Sequence, residues 1–159
     1  MYEIERKYLL ANDKWKKLIV KKRSFVQGYI SPNVRVRLFT DDNKTLGKIT
    51  IKSNPKPNSF SRMELEYDIP RADAKLILKE VCANTQVFKT RYHLSLYNSK
   101  NHYWTIDVYE KNNEGLIVAE IEMDSEKQKI KLPKWIGQEV TNELKYSAAS
   151  LAYKPFKTW

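Results

Sequence analysis

Three pairs of carboxylates, Glu3/Glu5, Glu64/Glu66 and Glu120/Glu122, each stand two residues apart in stretches where polar and apolar residues alternate. The cations Arg35/Arg37 and Lys89/Arg91 do the same, and Lys7, Lys48, Lys52, Arg62, Asp68 and Asp107 fall on the same polar faces. On a β-strand, residues i and i+2 point to one side, roughly 6.5–7 Å apart. Two carboxylates at that spacing repel unless something positive lies between them. A hard divalent cation bound by carboxylate oxygens is one solution, and an Arg or Lys from a facing strand is another. So many ions cannot share a dry interior, because each is expensive to strip of water. They either surround an apolar core from outside or line a hydrated cavity. Alternation alone leaves both arrangements open.

Alternation also defines the elements that must position these groups. Strands are expected at Glu3–Tyr8, Phe25–Ile30, Val34–Leu38, Lys48–Lys52, Arg62–Ile69, Val87–Tyr97, Trp104–Val108 and Ala119–Met123. Helical spacing of Ala72, Leu76, Ile77 and Val81 after Pro70 predicts a helix over Ala72–Cys82, with Cys82 on its apolar stripe. Shorter helices are expected at Asp13–Val20 and Asn142–Ala152, the latter capped by Asn142. The prolines and asparagines of Lys52–Ser61 mark a loop, and Asn112–Gly115 marks a turn between adjacent strands. The sum is a mainly β (α+β) chain whose short connections favour antiparallel pairing.

The 159 residues include 29 Lys and Arg against 19 Asp and Glu, a formal net charge of +10. That balance points to an anionic partner: nucleic acid, a membrane surface or a phosphorylated small molecule. The 42% hydrophobic content and only four Gly exclude collagen-like and disordered classes. A lone cysteine excludes an internal disulfide, and with only two histidines, His93 and His102, a Cys/His zinc site is excluded too. No membrane span or leader is apparent, so a cytoplasmic protein of one domain over residues 1–159 is expected.

Glu3-Ile4-Glu5-Arg6-Lys7 fits an E-x-E-x-K opening, and agreement continues in order through Gln27–Tyr29, Val34–Arg37, Leu46–Lys52, Arg62–Pro70, Lys89–Tyr92, Trp104–Val108, Gly115–Glu122 and Trp135–Thr141. On these motifs the chain resembles the CYTH superfamily, the triphosphate tunnel metalloenzymes, and most of all their small bacterial members. The resemblance implies a closed eight-stranded antiparallel barrel with its charged faces inward and a few flanking helices. It implies hydrolysis of a triphosphate, inorganic tripolyphosphate first, with Mg²⁺ or Mn²⁺. Glu3, Glu5, Asp107, Glu120 and Glu122 match positions that hold metal. Lys7, Arg35, Arg37, Lys52, Lys89, Arg91 and Lys145 match positions that clamp phosphate. Lys7 and Tyr29 match a pair assigned to catalysis, whose pKa values a cationic tunnel would depress. Lys145 departs from the arginine usual in the small bacterial forms and is similar to the thiamine triphosphatase branch.

Other residues have plainer readings. Glu64 and Glu66 are expected to support Arg35, Arg37 or Arg91 by pairing with them, and Lys48 and Asp68 to be solvated. Trp104 and Trp135 belong to the core, and neither histidine has partners at ligand spacing. Surface lysines such as Lys16, Lys17, Lys127 and Lys129 steer an anionic substrate rather than track a nucleic acid. A small-molecule triphosphate is therefore the expected partner, with no membrane or nucleic acid, as monomer or homodimer. The rival activities are adenylate cyclase or organic triphosphatase on the same scaffold, and a non-catalytic polyphosphate or RNA binder. Dense carboxylate faces argue against a pure binder, since they would repel its ligand.

Overall fold

Nine strands, eight of them alternating, are present in a computed structural model that describes residues 2–41, 44–54, 59, 61–97 and 102–159. They are β1 (Tyr2–Leu10), β2 (Ile19–Ser31), β3 (Val34–Asp41), β4 (Lys44–Lys52), β5 (Ser61–Ile69), β6 (Gln86–Tyr97), β7 (Tyr103–Tyr109), β8 (Ile117–Glu122) and β9 (Ile136–Glu139). Helix α1 (Arg71–Glu80) follows β5, and α2 (Ala148–Tyr153) follows β9. The prolines of the expected 52–61 loop lie outside the described residues.

Antiparallel neighbours run β5-β4-β3-β2-β6-β7-β8-β1, and the start of β1 pairs back onto β5 with Glu3 opposite Arg62. That last pairing closes eight strands into a barrel and removes their free edges. Strand β9 is additional. It pairs with the far end of β1 across a register shift between Tyr8 and Leu10. Its sequence, Ile136-Gly137-Gln138-Glu139, is short and mostly polar, which is why alternation does not reveal it.

Ion pairs that skip a strand decide which face is inside. Lys52 on β4 reaches Glu3 on β1 past β5, at 2.6 Å. Arg35 on β3 reaches Glu66 on β5 past β4, at 3.6 Å. Only the concave side of a barrel brings such residues together, so the charged faces point inward. The apolar faces point outward and are covered. Helix α1 lays Ala74 and Leu78 over Val36 of β3 and the buried Cys82. Tyr8, Trp104, Ile106 and Ile121 pack with Trp15 and Trp135, so Trp104 and Trp135 belong to the core as expected. Helix α2 seats Leu151 and Ala152 against Tyr29, Val87, Tyr109 and Val118, covering one end of the barrel with apolar surface.

The helices are shorter than periodicity predicts. Helix α1 stops at Glu80, so Cys82 is buried in the turn beyond it rather than on the helix. The segment at 13–20 is a 3-10 turn at Lys14–Leu18, after which Ile19 enters β2. Ser147 rather than Asn142 caps the last helix: its hydroxyl accepts from the Ser150 amide at 3.1 Å. Residues 144–146 before it form a separate 3-10 turn.

Gly28 is required by the close approach of β2 to the turn after α1. A Cβ there would collide with the Cys82 Cβ and lie 2.8 Å from Leu78 Cδ2. Gly28→Ala should therefore destabilise the fold by roughly 1–3 kcal/mol, the usual cost of overpacking. Chemical denaturation measures this, and a midpoint equal to that of the parent would contradict the packing described.

Candidate active site

Inside the barrel the ionic side chains form one alternating chain. Asp107 on β7 holds Lys89 and Arg91 of β6, and Arg91 also meets Glu120 on β8. Glu120 pairs with Lys7 on β1, whose ammonium lies 3.0 Å from Glu5. Arg62 on β5 then bridges Glu5 at 3.0 Å and Glu3 at 3.3 Å. Lys52 joins Glu3 to Glu64. Beyond it, Glu66 gathers Arg37, Arg35 and Lys48, and Lys48 lies 3.1 Å from Asp68. Each carboxylate thus balances a cation from another part of the wall, which makes a lining this dense in charge tolerable.

Balance fails at two places of opposite sign. Glu5 stands directly opposite Glu122 in the β1–β8 register, and like charges placed so are unfavourable. Burial and the charges of Glu3 and Glu5 push the Glu122 carboxyl above the usual range. Arg37 stands directly opposite Lys48. Burial and the nearby Arg35 lower its guanidinium to about 10, even with Glu66 beside it, and Arg91 adds to this from across the barrel. One end of the lining therefore lacks positive charge, and another region lacks negative charge.

Most residues predicted from sequence meet in this chain: Glu3, Glu5, Lys7, Arg35, Arg37, Lys52, Lys89, Arg91, Asp107 and Glu120 all face the interior. Glu122 stands at the solvent end with His102 3.4 Å away. Asp107 is fully buried and its two oxygens are taken by Arg91, at 2.6 and 2.7 Å, and by Lys89. That geometry orients the two cations. Glu66 supports Arg35 and Arg37 as expected, whereas Glu64 pairs with Lys52 and lies 4.0 Å from Arg35. Asp68 is solvated as expected, with its side chain 85% exposed, but Lys48 is half-buried. Lys145 is not brought to the chain. It is exposed, lies over the Tyr146 and Trp159 rings and pairs with Glu143 at 3.8 Å.

Lys7 and Tyr29 do not behave as a depressed pair. Burial alone would lower the Lys7 ammonium, but the charges of Glu120 and Glu5 outweigh it and raise its pKa above the ordinary lysine value. Burial raises the Tyr29 phenol, and the lowering influences of Arg35, Arg37 and Lys7 do not cancel it. The phenol oxygen accepts instead from Gln27 Nε2 at 3.1 Å. The cations that were expected to dominate are neutralised by carboxylates, so both groups keep their protons at neutral pH. Arg62, which bridges Glu3 and Glu5, is the residue sequence reasoning left out of the site. Its place two residues before Glu64 on the same face was the available signal.

Among the described residues, no three His, Cys, Asp or Glu side chains converge into a ready-made metal cage. An ion such as Mg²⁺ does not need one, since it keeps several waters and takes one or two carboxylates plus phosphate oxygens. Glu5 and Glu122, set face to face with Glu3 nearby, supply hard oxygen donors where positive charge is short at Glu122, so the residues fit a divalent cation.

This geometry agrees with comparisons to known proteins. The CYTH domain profile matches residues 1–156. An inorganic triphosphatase of Acetivibrio thermocellus is 36% identical over 161 residues, covering 99% of this chain and 97% of that protein. The chain belongs to the CYTH family. The inorganic triphosphatase NE1496 superposes with a TM-score of 0.62 at 27% identity, over 94% of this chain and 93% of that one. The PH1819 protein of Pyrococcus horikoshii OT3 shares the fold, with a TM-score of 0.58 at 22% identity over 79% and 80% of the two chains. Enzymes of this family depend on a divalent metal.

The lining also predicts a pH signature. Burial and a hydrogen bond to Glu3 push Glu64 up to about 7 from the ordinary 4.5, so Glu64 keeps a proton that it donates to the Glu3 carboxylate. A carboxyl whose pKa rises on folding contributes stability that is complete below about 4.5 and is lost as pH rises through about 7. Glu64→Gln keeps a donor without the titration. The melting temperature of Glu64→Gln relative to the parent should therefore climb between pH 4.5 and 7. Parallel melting curves across that interval would contradict the shared proton.

Proposed function

We propose that this protein hydrolyses a triphosphate, inorganic tripolyphosphate above all, inside the barrel with the aid of Mg²⁺ or Mn²⁺. The observation that carries the reading is the pair of opposite charge imbalances in one enclosed lining. A polyphosphate relieves the positive excess at Arg37 and Arg35, and a divalent cation relieves the negative excess at Glu5 and Glu122. Two of the relatives are named inorganic triphosphatases, which supports the same substrate.

In this mechanism Arg35, Arg37 and Arg91 grip phosphate oxygens, their planar forks suiting bidentate contact. Lys52 and Lys89 add point charges, with Lys89 lowered to about 8 by burial and by Arg91 despite Asp107 beside it. Asp107 fixes the directions of Lys89 and Arg91, and Glu66 fixes those of Arg35 and Arg37. When bound, a divalent metal would supply positive charge against the phosphates and would lower the pKa of a water molecule. Glu3, Glu5, Glu120 and Glu122 are the carboxylates that would hold it. Lys7 stays protonated and serves as a fixed positive charge beside Glu5 and Glu120. Tyr29 stays protonated and holds Gln27. Phosphoryl transfer needs mainly positioning and charge stabilisation, which these residues supply without a protein nucleophile.

Phosphate release from tripolyphosphate, ATP and thiamine triphosphate, with Mg²⁺ or Mn²⁺, tests this directly. Tripolyphosphate should give the highest kcat/KM and ATP should give no cyclic product. Arg37→Gln should lower kcat/KM about 100- to 1000-fold, as loss of one transition-state donor does. Glu5→Gln should raise the metal concentration needed for half-maximal rate at least about tenfold. Equal rates with and without divalent metal, or full activity in both variants, would refute the assignment.

A further inference from the structure

A cavity of about 190 Å³ extends from Arg91 and Glu120 to the mouth of the barrel, where His93, Thr105 and Arg23 line it. None of these last three is used by the mechanism above. On β6 the inward side chains Lys89, Arg91 and His93 succeed one another at two-residue spacing, so His93 is the next rung above a phosphate-gripping guanidinium. His93 is 7% exposed, and its Nε2 is buried without a hydrogen-bond partner among the described residues. One face of the imidazole is occupied by the Tyr103 ring, at a centroid distance of 5.3 Å. The imidazole also carries the unpartnered Nε2, a polar atom that suits an oxyanion better than a stacked heterocycle.

The register adds a second sign of the same ligand. Arg23 on β2 stands directly opposite Arg91 on β6, two like charges in facing positions. Asp41 takes one end of Arg23 at 2.6 Å, while Arg23 Nε is buried with no partner among the described residues. Burial and the charges of Arg23 and Arg91 push the His93 imidazole down to about 4. On the β2–β6 side, Arg23 and Arg91 set positive charge around His93, while Glu5, Glu120 and Glu122 line the rest of the cavity, so a phosphoryl group would satisfy the unmatched donors on that one side. We infer that Arg23, His93 and Thr105 form an additional phosphoryl subsite at the mouth of the barrel. It takes either the fourth phosphate of a linear polyphosphate or the orthophosphate released by hydrolysis. The inference rests on the tunnel reading above, since the subsite adjoins Arg91 and Glu120.

His93 and His102 are the only histidines, so their ring resonances are separable by NMR with His93→Gln and His102→Gln as assignments. The parent protein without metal is titrated with orthophosphate and with linear tetrapolyphosphate. The His93 ring signal should shift saturably with at least one of them, and Arg23→Gln should weaken that binding about tenfold, the worth of one charge-assisted hydrogen bond. In turnover, His93→Gln and Arg23→Gln should raise KM for tetrapolyphosphate about tenfold more than KM for tripolyphosphate if the fourth phosphate sits there. If the product sits there, they should instead weaken inhibition by orthophosphate by the same factor. A His93 signal that moves with neither ligand, or affinities unchanged within twofold in both variants, overturns the subsite. Failure of the parent to hydrolyse any triphosphate would overturn the tunnel reading, and the metal-free titration would still decide the subsite.

Discussion

Everything in this protein depends on keeping a closed ring of strands full of ions electrically satisfied. Eight strands closing through the β1–β5 pairing turn their charged faces toward one another, and a charge taken from water is costly unless an opposite charge meets it. The structure meets that demand with pairs that reach across the interior, such as Lys52 with Glu3 and Arg91 with Glu120. Because each partner comes from a different strand, the lining holds its shape only while the barrel is closed. The same interlocking gives the cations fixed directions before any substrate arrives, which is the preorganisation that phosphoryl transfer exploits.

The apolar surface is as consequential as the ionic one. The outward faces are covered by α1 and by the tryptophan-rich cluster, so the hydrophobic contribution to stability comes from outside the barrel wall. At one end, Tyr29, Tyr109 and Val118 point inward but meet Leu151 and Ala152 of α2, so apolar packing replaces charge there. The ionic lining thus has an apolar floor at one end and the acidic and histidine-bearing mouth at the other. That asymmetry places the region lacking positive charge, around Glu122, on the solvent side. The guanidinium group around Arg37 lies deeper in the lining.

Much of this was legible in the sequence, for a physical reason. A strand with two chemically different faces writes its period into the chain, so each barrel strand was visible, and the paired charges marked which residues would share a face. What alternation cannot state is which way a face points or which strand lies opposite. Inwardness came from the motif resemblance, and the strand-skipping pairs then showed it. Register is a long-range property, so the bridging of Glu3 and Glu5 by Arg62, the double hold on Asp107 and the opposition of Glu5 to Glu122 were out of reach. The misjudged acidity of Lys7 has the same origin, since its neighbours Glu5 and Glu120 were not known to touch it. Strand β9 escaped because four mostly polar residues carry no period, and the final helix was misplaced because Ser147 competes with Asn142 as a cap.

The central claim is that one set of wall residues exchanges its internal partners for those of a metal–triphosphate complex. A crystal structure with a non-hydrolysable imidotriphosphate and Mn²⁺, the metal placed by its anomalous signal, tests this most directly. The account predicts the phosphate chain within the barrel, with Arg91 turned from Glu120 to a phosphate oxygen and the manganese peak beside Glu5 and Glu122. A phosphate chain bound on the outer surface, with the internal ion pairs left intact, would contradict it.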